Sequence, residues 1–166
     1  MVVYILLIMK SKQNILILPD IRSAENVGAI FRTADAVGMS KIYLVGITPA
    51  PVDRFGRGRS DIAKSALGAE KSVQWEQREN LVELINELKE NNFKIIALEQ
   101  DEKSIDYKDV QIGENNVFLL GAETTGLPKE ILDMCDVIAE IPMKGEKESL
   151  NVSVAFGIAI FRILNI

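Results

Sequence analysis

The chain has 166 residues, of which 48% are hydrophobic and 26% are charged, and this composition predicts one globular domain spanning residues 1–166. Its formal net charge of −5 is not the footprint expected of a nucleic-acid-binding protein. One cysteine and no histidine exclude an internal disulfide, a cysteine-only metal site and every Ser-His or Cys-His catalytic arrangement, so we expect no bound metal.

The N-terminal segment, residues 1–12, contains a continuous apolar run at residues 2–9. This run is far shorter than the ~20 residues that a membrane-spanning helix needs. It also lacks the basic flank and the small-residue cleavage site of a signal peptide. We therefore expect a cytoplasmic protein without membrane contact, in which this segment packs as an edge strand.

Short apolar runs alternate with helical patterns along the rest of the chain. The runs that predict buried strands are residues 14–18, 41–45, 94–98, 116–120 and 137–141. The patterns that predict helices are residues 27–37, 61–67, 78–91 and 129–134. Alternating strands and helices predict an α/β fold with a mostly parallel sheet flanked by helices.

The last helical pattern, residues 152–164, is apolar on almost every side. It follows Ser149 and Asn151, two residue types that favour helix N-caps. A helix that is hydrophobic all round has to be buried all round. A chain of this length seldom covers its own last helix so fully, and a second subunit is the simplest cover. We therefore expect a homodimer formed through this helix.

The ligands of open α/β sheets bind at the carboxyl ends of the strands, so the loops that follow strands are where a site is expected. The first such loop leads into a helix for which Asn26 is the predicted N-cap. Helical spacing places Gly28 and Arg32 near the same side. An arginine at the entrance of a sheet cleft is suited to bind a phosphate, although a surface arginine beside Asp35 explains the same spacing.

A second loop, residues 121–128, has the sequence Gly-Ala-Glu-Thr-Thr-Gly-Leu-Pro. Gly121 and Gly126 bracket the carboxylate of Glu123, and Pro128 marks the first turn of the next helix. The loop matches neither the dinucleotide fingerprint nor the P-loop. Taken alone, it is more simply described as a capped turn with a solvated glutamate.

Three motifs occur in order along the chain. They are Asn-x-Gly-Ala-x-x-Arg-Thr at residues 26–33, Gly-x-Glu-x-x-Gly-Leu at residues 121–127, and Ile-Pro-Met at residues 141–143 with Ser-Leu-Asn-Val-Ser-Val-Ala at residues 149–155. Together they resemble the motifs of the SpoU (TrmH-type) RNA 2′-O-methyltransferases of the SPOUT superfamily. The resemblance implies S-adenosylmethionine (SAM) as cofactor, a homodimer, and a C-terminal segment threaded as a deep trefoil knot.

The resemblance also implies which residues hold SAM. Main-chain groups near Leu98, Gly121, Ile141 and Leu150 match the family's cofactor positions, and Leu98 is the one that no motif fixes. Met143 could cover the cofactor, or it could belong to the core. A glycine suits this role because a bare backbone lets a ligand approach closely.

For transfer of a methyl group to a ribose 2′-hydroxyl of tRNA or rRNA, the resemblance assigns the central catalytic role to Arg32. A free guanidinium is a poor base, since lowering a pKa above 12 to neutrality would cost roughly 7 kcal/mol. We therefore expect Arg32 chiefly to bind the substrate phosphate and polarise the hydroxyl, with base action open only in the assembled complex.

The other polar positions of the family's site match Asn26, Glu123, Ser149 and Asn151. Ser149 and Asn151 could also serve only as helix caps.

Affinity for RNA comes largely from neutralising phosphates, to which an acidic chain is poorly suited. A local source of positive charge is the loop that contains Arg54, Arg57 and Arg59, in which Phe55 could stack on a base. A mobile, solvated loop explains the same residues. Larger members of the family carry additional RNA-binding segments, and we expect essentially none in this chain.

Three functions therefore fit the sequence. The first is a SAM-dependent ribose 2′-O-methyltransferase acting on tRNA or rRNA. The second is a SPOUT-fold methyltransferase acting on a base or on a non-RNA acceptor, which the acidic net charge permits. The third is a non-catalytic SAM-binding dimer, against which the intact Arg32 argues.

Overall fold

The computed structural model describes residues 12–122 and 125–166. The described strands are β1 (Gln13–Pro19), β2 (Lys41–Val45), β3 (Trp75–Arg78), β4 (Lys94–Leu98), β5 (Ile105–Asp106), β6 (Asn115–Leu120) and β7 (Val137–Glu140). The described helices are α1 (Ala24–Ala36), α2 (Ser60–Ala66), α3 (Ala69–Ser72), α4 (Leu81–Glu90), α5 (Lys129–Leu132) and α6 (Val152–Leu164), with a 3-10 turn at Tyr107–Asp109.

These strands form one sheet in the order β3-β2-β1-β6-β4-β7-β5, and every adjacent pair is parallel. Alternate residues of the central strands point to opposite faces and fill two separate cores. In β1, Leu16 and Leu18 cluster with side chains of α1, α2, α3 and α6, whereas Ile15 and Ile17 cluster with α4 and α5. The α/β class and the parallel sheet predicted from the alternating pattern are confirmed.

The start of α1 differs from the prediction. The helix begins at Ala24, and its N-cap is Ser23, whose hydroxyl accepts a hydrogen bond of 3.2 Å from the Asn26 amide. The prediction that Asn26 is the cap is therefore wrong. Serine caps a helix as well as asparagine does, and Ser23, three residues before Asn26, accepts from the Asn26 backbone amide.

The start of α4 also differs from the predicted helix at residues 78–91. Asn80 is the N-cap, and Arg78 ends β3, where it pairs with Val45 of β2. Strand pairing across the sheet overrides the helical pattern at this point. Leu84, Ile85 and Leu88 are buried on one face of α4, as its spacing predicts. The short elements β5 and α3 were missed because so few residues show no periodicity.

The C-terminal helix α6 is capped by Asn151 and buries only one side in its own chain. Its other side carries Val154, Ile158 and Phe161, which are 49%, 42% and 39% exposed. These residues lie one helical turn apart and form an apolar stripe on the surface. The chain's own residues leave this side of α6 uncovered, as the apolar composition of the helix predicts. The homodimer itself stays a prediction.

Residues 1–11, including the run predicted as an edge strand, lie outside the described residues. Among the helices that the structure describes, none has the length and apolar character needed to cross a membrane. The trefoil knot and the single-domain boundary stay predictions.

Candidate active site

The register of the sheet brings three strand ends to one level. Leu98 at the end of β4 lies opposite Leu120 of β6 on one side and Ala139 of β7 on the other. The residues that follow these strands therefore emerge side by side at the carboxyl edge, where ligands of parallel sheets bind. The start of α6 lies beside the same strand ends, and its residues Asn151 and Val152 line the pocket that is formed there.

A pocket of about 590 Å³ opens at these strand ends. This volume lies within the roughly 300–1,000 Å³ typical of small-molecule sites. The residues that line it are Asn26, Leu98, Glu99, Gln100, Leu120, Gly121, Ala122, Gly126, Ala139, Glu140, Ile141, Met143, Ser149, Leu150, Asn151, Val152, Ala155 and Ala159.

All five residues proposed from the resemblance to contact a cofactor line this pocket. They are Leu98, Gly121, Ile141, Met143 and Leu150. Leu98, Gly121 and Ile141 stand at the ends of three strands that the sheet register brings together, and Leu150 reaches the pocket just before α6. Their convergence makes this pocket the candidate cofactor site.

The predicted polar residues divide into three groups. Asn26, Ser149 and Asn151 also line the pocket. Arg32 is exposed on α1 and is not among the pocket residues. Glu123 lies outside the described residues.

Asn151 and Asn26 join the first and last motifs directly. The Asn151 side-chain amide donates a 3.1 Å hydrogen bond to the Asn26 side-chain oxygen. The Asn151 side-chain oxygen accepts from the Ser153 amide at 2.9 Å, from its hydroxyl at 2.7 Å and from the Val154 amide at 3.4 Å. Asn151 is thus both the cap of α6 and a fixed polar group at the pocket, and its two predicted roles do not exclude each other.

Glu99 is a pocket residue that the sequence did not reveal. Its carboxylate accepts hydrogen bonds of 3.0 Å from the amides of Gln100 and Leu127, so it holds the loop after β6 against the end of β4. A Cβ added at Gly121 would lie 2.1 Å from this carboxylate and 3.1 Å from the Cα of Gly126. The two glycines therefore make room for a carboxylate inside the pocket. The only sequence signal for Glu99 is its position directly after the buried strand β4.

Gln100 connects two rims of the pocket. Its side-chain amide donates a 2.7 Å hydrogen bond to the carbonyl oxygen of Glu148. This bond ties the loop after β4 to the loop that precedes α6. Gln100 also had no sequence signal beyond its place after a strand.

Gly28 has a structural explanation. A Cβ at this position would lie 2.4 Å from the carbonyl oxygen of Ile62 and 2.1 Å from the hydroxyl of Ser65, both on α2. The glycine is needed for close packing of α1 on α2. Gly28 is also absent from the pocket lining.

The remaining predicted residues, Arg54, Arg57 and Arg59, lie in the connection between β2 and α2 and do not line the pocket. Among the described residues, no three histidine, cysteine or acidic side chains cluster so that they could hold a metal ion.

Comparison with known proteins identifies the family. Residues 13–161 match the model of the SpoU rRNA Methylase family. The chain belongs to the SpoU family. The resemblance inferred from the three motifs is thereby confirmed.

Curated relatives of this SpoU chain include two staphylococcal proteins assigned to the TrmH family of tRNA/rRNA methyltransferases. The one from Staphylococcus aureus (strain COL) is 31% identical over 150 residues, which are 90% of this chain and 58% of that protein. The one from Staphylococcus epidermidis is 32% identical over 150 residues, with 90% and 57% covered. The chain therefore spans somewhat more than half the length of these relatives.

Solved structures of SpoU-type enzymes share the fold. The AdoMet-bound rRNA methyltransferase from Sinorhizobium meliloti superposes with a TM-score of 0.84 at 28% identity, covering 94% of this chain and 57% of that one. The TrmH/SpoU tRNA modifying enzyme from A. aeolicus gives a TM-score of 0.80 at 29% identity, covering 93% and 75%. The sheet and helices of this chain are those of SPOUT methyltransferases.

Proposed function

We propose that this chain catalyses SAM-dependent methylation of a ribose 2′-hydroxyl in tRNA or rRNA. The observation that carries the proposal is the pocket at the ends of β4, β6 and β7, which gathers the five expected cofactor residues with Asn26 and Asn151. Membership of the SpoU family supports methyl transfer to RNA. The AdoMet-bound relative from Sinorhizobium meliloti supports SAM as the methyl donor.

The pocket residues fit a ligand with the chemistry of SAM. The apolar side chains of Leu98, Ile141 and Leu150 suit an adenine ring, and Gly121 leaves room for the Glu99 carboxylate at the pocket. The carboxylate of Glu99 has acceptor sites beyond the two amides that it already binds, and these suit ribose hydroxyls. SAM would supply an electrophilic methyl group at this position.

The protein must hold the 2′-hydroxyl oxygen in line with the methyl group. The proton that leaves the hydroxyl passes to water or to a general base, a role open to Arg32 only in the assembled complex. Asn151 suits the positioning role because its side chain is fixed at both ends, by the cap of α6 and by Asn26. Ser149 is exposed at the pocket, where its hydroxyl can contact the substrate ribose. Glu123 belongs to the proposed catalytic set through its place in the family motif.

Arg32 is proposed to bind the phosphate next to the acceptor ribose and to polarise the hydroxyl. It lies six residues beyond Asn26 in α1, which is about 9 Å along the helix at 1.5 Å per residue. Its side chain makes no ion pair or hydrogen bond with the described residues. An exposed guanidinium outside the pocket suits contact with the RNA rather than with the cofactor.

We further propose that the active form is a homodimer that buries the stripe of Val154, Ile158 and Phe161. Leaving three large apolar side chains exposed in a row is unfavourable in water, and a second copy of the same stripe covers them symmetrically. A tRNA or rRNA acceptor would place this dimer in the cytoplasm.

The test is transfer of labelled methyl from SAM to RNA isolated from cells that lack the protein, so that the target is unmethylated. We expect label to enter RNA with the wild type and to fall to background with Arg32→Ala. A folded protein that binds SAM but labels no RNA would contradict the proposal. That result would instead support the non-catalytic dimer or a non-RNA acceptor.

A further inference from the structure

The connection between β2 and α2 contains a small hairpin with a defined shape. Val52 and Gly58 form an antiparallel bridge at its base. The Asp53 carboxylate accepts hydrogen bonds from the Phe55 amide at 2.8 Å, and from the Arg57 amide at 3.0 Å and side-chain Nε at 2.8 Å. These bonds hold the pKa of Asp53 below its ordinary value, chiefly through the Arg57 amide. We call residues 53–59 the arginine hairpin.

Phe55 stands at the tip of the arginine hairpin with its ring in solvent. It is 66% exposed and belongs to neither core cluster. The guanidinium carbons of Arg54 and Arg57 lie 4.8 Å and 5.1 Å from the ring centroid, within the range of cation–π contact. An exposed aromatic ring flanked by two guanidinium groups is a surface on which a nucleobase can stack.

The three arginines of the hairpin are not equivalent. Arg57 is paired with Asp53 at 2.8 Å, and Arg59 is paired with Asp61 at 2.5 Å. Arg54, in contrast, makes no ion pair or side-chain hydrogen bond with the described residues. Of the three, only Arg54 therefore keeps a charge that is not paired with a carboxylate of the described residues. The sequence suggested equal roles for the three arginines, whereas the structure distinguishes Arg54 from the two paired arginines, Arg57 and Arg59.

The position of the hairpin relates it to the pocket. It follows β2, which runs parallel to β1, and β1 runs parallel to β6 at the pocket. The connection that contains the hairpin therefore begins at the same carboxyl edge of the sheet as the pocket. A polynucleotide whose ribose enters the pocket region can extend along this edge toward the hairpin.

We propose that the arginine hairpin is an RNA-binding site that takes an unpaired nucleotide, with Phe55 stacking on its base and Arg54 contacting a neighbouring phosphate. Arg57 and Arg59 hold the hairpin in shape through Asp53 and Asp61. This inference rests on the proposed function and names the structural class of its substrate, which is RNA with a single-stranded or looped region next to the methylated ribose.

The first experiment measures binding of the whole protein to a fluorescent single-stranded RNA, with a duplex of the same sequence as the comparison. Phe55→Ala is expected to weaken binding to the single strand by about tenfold, the usual effect of losing one stacked base. Phe55→Trp is expected to retain the affinity, since it keeps a stacking surface. Ile47→Ala is the matched control, because Ile47 is 61% exposed in the same connection.

The second experiment measures the salt dependence of the same binding. Arg54→Ala is expected to reduce the magnitude of the slope of log affinity against log salt by about 1, which corresponds to the loss of one phosphate contact. Arg57→Ala is expected to weaken binding by disordering the hairpin. Lys71→Ala, which removes an exposed charge on α3, serves as the control for net charge.

Unchanged single-strand affinity in Phe55→Ala and an unchanged salt slope in Arg54→Ala would overturn the proposal and assign the hairpin to a partner other than RNA. Binding is measured without methyl transfer, so the two proposals fail separately. RNA binding that depends on Phe55 without any methylation would leave the hairpin standing and remove the proposed reaction. Methylation by a protein whose RNA affinity does not depend on Phe55 would support the proposed reaction and remove the proposed role of the hairpin.

Discussion

The side-chain amide of Asn151 donates a 3.1 Å hydrogen bond to the side-chain oxygen of Asn26, although 125 positions separate them in the chain. The bond joins the N-cap of α6 to the first turn of α1, and both residues line the pocket. A helix cap has thereby become part of the candidate active site. This double role allows stability and activity to be separated by experiment.

Replacing Asn151 with Ala should cost about 1 kcal/mol of stability, the typical effect of losing an asparagine N-cap. It should also lower the methyl-transfer rate at least tenfold, because the link to Asn26 and the pocket is lost. The matched control is Asn80→Ala, which removes the Asn N-cap of α4 away from the pocket. Urea denaturation and initial rates would be compared, and equal activity loss in both variants would reduce Asn151 to a structural cap.

Arg32→Ala should abolish methyl transfer without changing the affinity for SAM, because the side chain is exposed and does not line the pocket. Arg32→Lys should also lose most of the rate, since an ammonium group cannot bind a phosphate through a planar fork. Calorimetric titration with SAM and single-turnover rates measure the two effects. Near-wild-type transfer by Arg32→Lys would show that charge alone is sufficient.

Gly121→Ala should weaken SAM binding by at least tenfold. The added Cβ would meet the Glu99 carboxylate at 2.1 Å and the Gly126 Cα at 3.1 Å. Moving the carboxylate aside would break its bond to the Leu127 amide and shift the loop after β6. Gly113→Ala is the control, because its Cβ would find only ordinary contacts at 3.7 Å or more. Unchanged calorimetric affinity in Gly121→Ala would place the cofactor elsewhere.

Ile158→Glu should convert the proposed dimer into a monomer, because it places a charge in the middle of the apolar stripe on α6. Val82→Glu is the control, because it places the same charge at a position of similar exposure outside the stripe: Val82 on α4 is 40% exposed and Ile158 is 42% exposed. Light scattering during size-exclusion chromatography would measure the masses. If both variants keep the wild-type mass, the stripe is not the interface.

Cys135 should react slowly with thiol reagents in the folded protein. Burial raises the pKa of its thiol from 9.0 to about 11, and the thiol donates to the Ile131 carbonyl at 3.2 Å. At pH 8 the thiolate fraction should be roughly a hundredfold lower than in the unfolded chain, since each pKa unit is a factor of ten. Alkylation rates with and without urea test this, and equal rates would show that the thiol is accessible.

The sequence predicted the elements that depend on local pattern. The apolar run at residues 95–98, between Lys94 and Glu99, predicts a strand at residues 94–98, and β4 has the same bounds. The cap of α1 was misplaced by three residues because Ser23 and Asn26 are both good caps and only the folded backbone decides between them. Arg78 was misplaced because its strand pairing involves residues far along the chain.

The pocket could be predicted only in part. Motif matching found Gly121, Ile141 and Leu150, whose positions follow a pattern. Glu99 carries no pattern, because a single glutamate after a strand is common and its contact with the loop after β6 appears only in three dimensions. The pairing of Arg59 with Asp61 likewise depends on backbone geometry that composition does not specify.

The central claim is that the methyl group goes to a ribose 2′-hydroxyl of RNA, and alkaline hydrolysis of the labelled product tests it most directly. Alkali cleaves RNA by attack of the 2′-hydroxyl on the adjacent phosphate, so a 2′-O-methyl group protects that one linkage. We predict that the label is recovered in alkali-resistant dinucleotides with the wild type and is absent with Arg32→Ala. Label recovered in mononucleotides would mean that a base is methylated, and it would contradict the account.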